Sequence, residues 1–349
     1  MQRPSGSGLP RRAALTVDAY VAGVRAGDRA VLGRAISLIE SNARAHRDEA
    51  EAVLTALLPH TGGAHRVGIS GVPGVGKSTF VEALGTRLTE LGKKVAVLAV
   101  DPTSARTRGS ILGDKTRMTR LSQDPRAFIR PSPSSGSLGG VGRKTRETLL
   151  LCEAAGYDVV LVETVGVGQS ETMVAEMVDF FLVLLLAGAG DELQGIKRGI
   201  LELADLLAVN KADGDDTQRA ERARREYRSA LSLMHANTKD DWEVPVLTCS
   251  ALTGAGIDAL WGEVARHHRE AEASGRLATR RLLQQRRWMW QMVEGELLAA
   301  LRAHPEVART VPELERGIEA GTLTATAAAG RILEAFGVGA AESDRQTKK

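Results

Sequence analysis

Cysteine is scarce in this 349-residue sequence, and the scarcity excludes a disulfide-rich secreted domain. The two cysteines, Cys152 and Cys249, lie in apolar segments and belong neither to a Cys-x-x-Cys pair nor to a histidine-rich tract. A thiolate metal site needs such a cluster. We therefore expect two buried thiols in a reducing compartment and no thiolate-bound metal.

Long hydrophobic runs are also missing. The longest strongly apolar run, residues 180–187, is far shorter than the roughly 20 residues of a membrane-spanning helix, and it is better interpreted as a buried central strand. The first twelve residues are rich in Pro, Gly, Ser and Arg and contain no apolar core of a secretion signal. We therefore expect a cytoplasmic protein with a disordered N-terminal arm and no membrane partner.

The sequence has little excess of either charge. It contains 46 Lys plus Arg and 43 Asp plus Glu residues, so its formal net charge is +3. Basic runs such as residues 219–225 carry interleaved acids, which is typical of a solvated helix face. This balance argues against a nucleic-acid partner.

A glycine-rich loop lies between an apolar run at residues 66–70 and a helical pattern that ends near residue 91. In the order strand, loop, helix, the pattern G-x-x-x-x-G-K-S indicates a phosphate-binding loop. Its backbone N–H groups and the positive end of the helix dipole would face the phosphate oxygens. Lys77 would reach the β- and γ-phosphates. The predicted nucleotide-binding loop consists of Gly71, Val72, Pro73, Gly74, Val75, Gly76, Lys77, Ser78 and Thr79.

Short β-rich runs alternate with helical patterns across the middle of the chain. Runs such as residues 95–100 are apolar on both faces, as in strands that helices cover on both sides of a parallel sheet. We therefore predict an α/β fold with a doubly wound, mostly parallel sheet and a ligand at the carboxyl ends of the strands. The strand candidates are residues 66–70, 94–100, 158–163, 180–186, 205–209 and 244–249.

Helical patterns without strand signals flank this region. We predict a helical N-terminal extension at residues 1–60, a phosphate-loop domain at 61–275 and a helical C-terminal segment at 276–340. Trp288 and Trp290 place two of the four tryptophans in the last segment. Because aromatic residues are enriched in interface cores, an oligomer arm and a helical cap on the same core fit this pattern equally well.

An Asn-Lys-x-Asp motif at Asn210, Lys211 and Asp213 directly follows a strand candidate. The Asp213 carboxylate can accept the ring N–H and the exocyclic amino group of guanine, a donor pair that adenine cannot present. Lys211 would lie along the base, and Asn210 would tie neighbouring loops together. The predicted nucleotide is therefore GTP or GDP. A base-edge motif follows at the end of the last strand candidate, at Ser250, Ala251 and Leu252.

Three carboxylates are candidates for binding Mg²⁺ beside the Ser78 hydroxyl. Glu163 and Asp101 end strand candidates, and Asp114 lies in a glycine-containing stretch. Mg²⁺ keeps several waters and uses one or two carboxylates, so the three cannot all be direct ligands. We rank Asp101 first, Glu163 second and Asp114 third; helix-cap or turn roles are the alternative for both aspartates. Gly166 is placed to sense the γ-phosphate through its N–H.

Hydrolysis needs a group that positions water. Val167 occupies the place where Ras-like proteins have a glutamine, so we expect slow intrinsic turnover. Gln169 could substitute, although a helix-start role is an equal alternative. A further glycine-rich stretch, residues 188–199, contains Asp191 and Lys197, which could exchange partners between nucleotide states. An ordinary strand-to-helix loop is the alternative for that stretch.

Together these strings resemble the methylmalonyl-CoA mutase-associated GTPases of the MeaB/ArgK type, within the metal- and cobalamin-handling P-loop GTPases. Two positions depart from the pattern: Arg108 stands where the family often has Gly, and Ala187 where Pro commonly precedes Gly188. The matching strings are residues 71–79, 101–104, 110–118, 130–133, 138–140, 163–171, 188–197 and 210–213.

The resemblance implies a GTP-hydrolysing chaperone that gates adenosylcobalamin delivery to an acyl-CoA mutase and protects or reactivates that enzyme. It also implies a homodimer through the C-terminal helices. By the family pattern residues 101–118, 163–171 and 188–197 are three switch regions, and Lys197 is the residue that couples partner binding to hydrolysis. The sequence does not identify the client mutase.

Three rival functions stay open at this stage. A nickel-inserting metallochaperone GTPase would need a Cys or His cluster, which the sequence lacks. An ATPase that energises amino-acid uptake conflicts with the guanine preference expected of Asp213. A scaffold that binds nucleotide with negligible hydrolysis is compatible with Val167.

Overall fold

The computed structural model describes residues 15–100, 118–131, 138–164, 170–187, 198–235 and 242–338. Within these ranges the chain forms an α/β structure of strands and helices that alternate after an all-helical start. The strands are β1 His65–Gly71, β2 Val95–Val100, β3 Ala127–Arg130, β4 Val159–Thr164, β5 Phe180–Leu186, β6 Leu206–Asn210 and β7 Val246–Thr248. The helices are α1 Val17–Arg25, α2 Arg29–Glu40, α3 Arg44–Leu57, α4 Lys77–Glu90, α5 Thr119–Gln123, α6 Leu138–Ala154, α7 Ser170–Ala175, α8 Arg198–Leu203, α9 Thr217–His235, α10 Ile257–Ala273, α11 Arg276–Ala303, α12 Pro305–Glu319 and α13 Ala325–Ala335.

The strands form one sheet in the order β3-β2-β4-β1-β5-β6-β7, and every described pair is parallel. The α/β fold with a doubly wound parallel sheet is therefore confirmed. Strand β1 lies between β4 and β5 at the centre of the sheet. In open sheets of this kind ligands bind beyond the carboxyl ends of the strands, where the strand order changes direction. The carboxyl end of β1 is that place here.

The sequence predicted six strands, whereas the described residues form seven. The strand that was not predicted is β3, which has only four residues. It lies at the edge of the sheet, pairs with β2 alone, and is followed directly by Pro131. A run this short between polar residues has no periodicity that distinguishes a strand from a loop. The other strands lie within two residues of the predicted bounds.

Two hydrophobic cores, one on each face of the sheet, explain why the strands are apolar on both sides. One core takes Val67 and Ile69 of β1 together with α4, α5 and α10, and the other takes α1–α3, α6, α7, α8 and α9. On this second face β1 presents Arg66 near its amino end and the small residues Gly68 and Ser70 toward its carboxyl end. A Cβ on Gly68 would lie 2.9 Å from Val174 Cγ1 and 2.8 Å from Phe181 Cδ2, so the glycine allows α7 to pack closely on β1.

The three N-terminal helices form part of the second core. Thr16 accepts a hydrogen bond from the Ala19 N–H at the start of α1, and Asp28 accepts from the N–H groups of Ala30 and Val31 in α2. The helices then bury one apolar face each, and the predicted N-terminal helices are confirmed. The buried residues include Val24, Leu32, Ala35, Ile36, Ile39, Val53 and Leu57.

The chain divides into two compact units, residues 1–284 and 285–349. In the second unit Pro305 occupies the first turn of α12, and Thr324 accepts from Ala327 N at the start of α13. The predicted C-terminal helices are confirmed, whereas the proposed domain boundaries remain a prediction. No helix among the described residues is long and apolar enough to cross a bilayer. The larger apolar side chains that α11 leaves exposed in this unit are Met289, Trp290, Val293, Leu297 and Leu298.

A buried ion-pair network lies at the amino edge of the sheet. Arg281 donates from Nε and Nη2 to the two carboxylate oxygens of Asp179, at 2.8 and 2.6 Å, and from Nη2 to Ala64 O at 2.9 Å. Arg66 pairs with Glu153 in the same way, at 2.9 and 2.8 Å, and its backbone N–H donates to Asp179. Although burial opposes ionisation, these partners hold the pKa of Asp179 below its ordinary value.

Removal of Arg281 should destabilise the first unit, because the Asp179 carboxylate is only 2% exposed and would lose its bidentate partner. We expect Arg281→Ala to lower the free energy of unfolding by about 3–5 kcal/mol, measured by urea denaturation. Arg219→Ala is the control, because this arginine is exposed and pairs with Asp216 on the surface; its effect should stay below about 1 kcal/mol. Equal effects of the two substitutions would contradict a stabilising role for the network.

Candidate nucleotide-binding site

The glycine-rich loop connects the carboxyl end of β1 to the first turn of α4. Gly71 has φ 150°, and a Cβ there would lie 2.5 Å from the carbonyl oxygen of Leu184 on β5. Gly74 and Gly76 have φ of 79° and 96°, in the left-handed region that side chains rarely adopt. These positions therefore need glycine for close packing against β5 and for the loop to curve back into α4.

Lys77 begins α4 and folds back over the loop. Its Nζ donates to Gly71 O at 2.8 Å and to Val72 O at 3.2 Å. Burial lowers the pKa of this ammonium, while the negative charges of Glu163 and Glu171 oppose the shift. The loop thus places a mostly buried cation at its open end, where an anionic ligand would compete with the two carbonyls.

Ser78 and Glu163 bring two oxygen ligands together at the start of α4. The Ser78 hydroxyl donates to Glu163 Oε1 at 2.9 Å, and Glu163 is only 7% exposed. A hydroxyl and a carboxylate in contact form the oxygen donor set that Mg²⁺ prefers, with water completing its shell. The described residues therefore fit a magnesium ion, whereas the other candidates, Asp101 and Asp114, lie outside the described residues.

Asn210 connects the glycine-rich loop with the loop after β7. Its Nδ2 donates to Val75 O at 2.8 Å, and its Oδ1 accepts from Ala251 N at 3.0 Å. The side chain is almost wholly buried, so both hydrogen bonds are shielded from water. In this arrangement the Ala251 N–H serves the Asn210 bridge rather than facing outward as a donor for a ligand.

Lys211 and Asp213 follow on the same loop. Lys211 has φ 60° and donates from Nζ to Gly74 O at 2.9 Å, so it crosses to the glycine-rich loop. Asp213 Oδ1 accepts from the Ser250 hydroxyl at 2.6 Å, and Ser250 Oγ accepts in turn from Thr253 N. These contacts fix the orientation of the Asp213 carboxylate.

A cleft of about 420 Å³ adjoins these loops along α4. Thr79 of the glycine-rich loop and Leu252 of the loop after β7 both line it. The Leu252 side chain is 80% exposed. Its side chain is therefore available at the edge of the site.

The sequence-based candidates fall into two groups. The described ones, from the glycine-rich loop, Glu163, the Asn-Lys-x-Asp motif and the loop after β7, meet at the carboxyl edge of β1, β4, β6 and β7. The others lie outside the described residues and stay predictions. These are Asp101, Asp114, Gly166, Gln169, Asp191 and Lys197, together with Arg108, Val167 and Gly188.

Sequence reasoning missed Glu171 as a member of this site. Glu171 is only 4% exposed in α7, and its charge acts on Lys77. Glutamate is rarely this buried without a specific reason. The signal available in the sequence was a lone acid beside the apolar positions of the short helix after Glu163.

Both cysteines are buried and free, as expected. Burial raises the pKa of both thiols, that of Cys249 to about 12. Cys249 also contacts the Asn210 bridge, because its Sγ lies 3.6 Å from Asn210 Oδ1. A thiol of this kind is unreactive and contributes packing behind the site.

A central strand, a glycine-rich loop with a buried lysine and an Asn-Lys-x-Asp loop define a P-loop nucleotide-binding protein of the GTPase class. Comparison with known families agrees. The model of the family described as "Methylmalonyl Co-A mutase-associated GTPase MeaB" matches residues 32–306. The chain belongs to this family and is a GTPase.

Individual relatives cover most of the chain. A Caulobacter vibrioides protein named as a GTPase is 57% identical over 325 residues, which are 93% of this chain and 99% of that protein. GTPase ArgK of Escherichia coli is 49% identical and covers 86% of this chain and 91% of its own length. The mouse methylmalonic aciduria type A homolog is 45% identical and covers 94% and 81%. Among solved structures, one described as an LAO/AO transport system kinase superposes with a TM-score of 0.75 at 40% identity and covers 94% of this chain and 99% of its own.

A Cβ at Gly71 would clash with the carbonyl oxygen of Leu184. Both residues belong to central strands whose backbone cannot shift easily, so a side chain at Gly71 should disrupt the glycine-rich loop. We expect Gly71→Ala to weaken GDP binding at least about tenfold, measured by fluorescence titration with a labelled GDP. Gly33→Ala in α2 is the matched control: a Cβ there meets nothing within 4 Å, and alanine favours a helix by about 1 kcal/mol. Wild-type affinity in Gly71→Ala would contradict the assigned role of the loop.

Proposed function

We propose that this protein is a GTP-dependent chaperone that gates adenosylcobalamin delivery to an acyl-CoA mutase and protects or reactivates that enzyme. The family description names the mutase association, and relatives such as the mouse methylmalonic aciduria type A homolog support it. The observation that carries the proposal is the Asn210 bridge, because it joins the proposed phosphate loop to the proposed base-reading loop. Such a site reports nucleotide state to a partner.

Guanine selection is the role proposed for Asp213. Ser250 holds one carboxylate oxygen, so the carboxylate faces the base in a fixed orientation and accepts from the ring N–H and the amino group of guanine. Adenine would leave that carboxylate without donors, and a site built for hydrogen bonds discriminates strongly against a ligand that lacks them. Lys211 and the exposed Leu252 would flank the base.

Phosphate binding is the role proposed for Lys77 and the loop around it. The ammonium leaves the carbonyls of Gly71 and Val72 and donates to the β- and γ-phosphates, which are far stronger acceptors. Ser78 and Glu163 would hold Mg²⁺, which neutralises phosphate charge when it is bound. Their present contact at 2.9 Å keeps both oxygens directed toward the same point.

The proposal also covers the mutase partner, the oligomeric state and the cellular location. Lys197 would couple mutase binding to hydrolysis. The exposed apolar side chains of the second unit, among them Met289, Trp290 and Val293, support a homodimer through the C-terminal helices, because aromatics and Met are enriched at interface cores. A cytoplasmic location is consistent with free, buried thiols.

Exchange of the guanine-reading carboxylate for an amide should change the nucleotide preference. Asp213→Asn presents one acceptor and one donor, which match the N–H and the carbonyl of xanthine instead of the two donors of guanine. We expect GDP affinity to fall at least about 100-fold and XDP affinity to rise, both measured by isothermal calorimetry. Asp215→Asn, in the exposed turn that follows, is the control and should bind GDP normally. Unchanged selectivity in Asp213→Asn would remove the basis for assigning guanine.

Mixing with the client mutase should stimulate GTP turnover. Turnover of the full chain is measured alone and with isobutyryl-, ethylmalonyl- or methylmalonyl-CoA mutase, and co-elution is followed with a non-hydrolysable GTP analogue. We expect one mutase to co-elute and to raise the rate. Lys197→Ala should abolish the stimulation, whereas Lys94→Ala, at an exposed lysine, should not. If all three mutases leave the rate unchanged and none co-elutes, the chaperone proposal fails.

A further inference from the structure

Glu171 is a buried acid close in sequence to Glu163 of the candidate site. It lies in α7, which follows β4, and only 4% of its surface is exposed. The proposed magnesium pair consists of Ser78 and Glu163, and the Asn210 bridge joins Val75 and Ala251, so neither group gives Glu171 a role. Its position is set by how α7 packs on the sheet.

Helix α7 presents Glu171 toward the end of β1. Val174, one turn further along the helix, packs on Gly68, and residues three apart share a helix face. Because α7 returns from the carboxyl end of a parallel strand, its first turn lies nearer to the loop than Val174 does. Glu171 is therefore directed toward the level of Ser70, the last β1 side chain before Gly71.

Two buried polar side chains lie at this level of the sheet. Ser70 and Thr164 occupy the α7 side of β1 and β4, and the Thr164 hydroxyl donates to Ser70 Oγ at 3.0 Å. Both side chains are buried. Glu163, at the end of β4, accepts a hydrogen bond from the Ser78 hydroxyl. Lys77 reaches the same end of β1, because its Nζ donates to the carbonyl oxygen of Gly71, the residue after Ser70, at 2.8 Å.

We propose that Glu171 is a catalytic residue that orients and deprotonates the water attacking the γ-phosphorus of GTP. This inference rests on the proposed phosphate site around Lys77. Val167 offers no side-chain group that could position water, and a carboxylate close to Lys77 lies close to the phosphate that Lys77 binds.

The step conserves atoms and charge. Glu171 accepts a hydrogen bond from the water and takes its proton as the oxygen forms a bond to the γ-phosphorus. The bond between that phosphorus and the β–γ bridging oxygen breaks, and its electron pair stays on GDP. Glu171 then returns the proton to solvent or to the departing phosphate. Lys77 offsets the negative charge on the transferred group.

Glu171→Gln removes the base and keeps the shape of the side chain. We expect the single-turnover rate of GTP hydrolysis by the full chain to fall on the order of 10²–10⁴-fold. Affinity for GDP and for a non-hydrolysable GTP analogue should be unchanged or tighter, because a negative charge near the γ-phosphate is removed. In Glu171→Ala, added formate should restore part of the rate, while the wild type should not respond. Glu90→Gln, at an exposed acid of α4, is the control.

Each contrary result has a distinct meaning. A wild-type rate in Glu171→Gln overturns the inference, and so does a loss of rate matched by an equal loss of nucleotide affinity, which would make Glu171 a counter-ion of Lys77. Should Glu171→Gln fail to fold, Glu171→Asp must show the drop in rate with affinity intact. Lys77→Ala distinguishes a failure of the Glu171 role from a failure of the proposed phosphate site. If Lys77→Ala still hydrolyses GTP, the proposed phosphate site itself is wrong.

Discussion

The two hydrogen bonds of Asn210 are the constraint on which the candidate site depends. One carboxamide holds the glycine-rich loop through Val75 O and the loop after β7 through Ala251 N. Because Asn210 is almost wholly buried, loss of either partner would leave a polar group unsatisfied away from water. The glycine-rich loop and the loop after β7 are therefore held together by one side chain.

The sheet determines what can surround that bridge. Strand β1 is central and presents small residues, Gly68 and Ser70, to the face that α7 covers, so Val174 of α7 packs closely on Gly68. The opposite face of β1 is filled by Val67 and Ile69 against α4. The two faces of this strand therefore differ, since α4 packs on branched side chains and α7 packs on small ones.

Much of this structure could be predicted from sequence where the signal is local. The glycine-rich loop, the Asn-Lys-x-Asp motif and the strands apolar on both faces each carry a pattern within a few residues. Strand β3 was missed because four edge residues have no period, and Glu171 because its role depends on the packing of α7. The ion-pair network of Arg281 and Asp179 could not be predicted from a local pattern, because it joins residues 102 positions apart.

We expect this fold to bind a guanine nucleotide and Asn210 to couple its phosphate and base loops. The decisive measurement is calorimetric titration of the full chain with GDP and with ADP in magnesium-containing buffer. GDP should bind at least about 100-fold more tightly than ADP, and Asn210→Ala should weaken GDP binding strongly. Equal affinity for the two nucleotides, or wild-type GDP affinity in Asn210→Ala, would contradict the account.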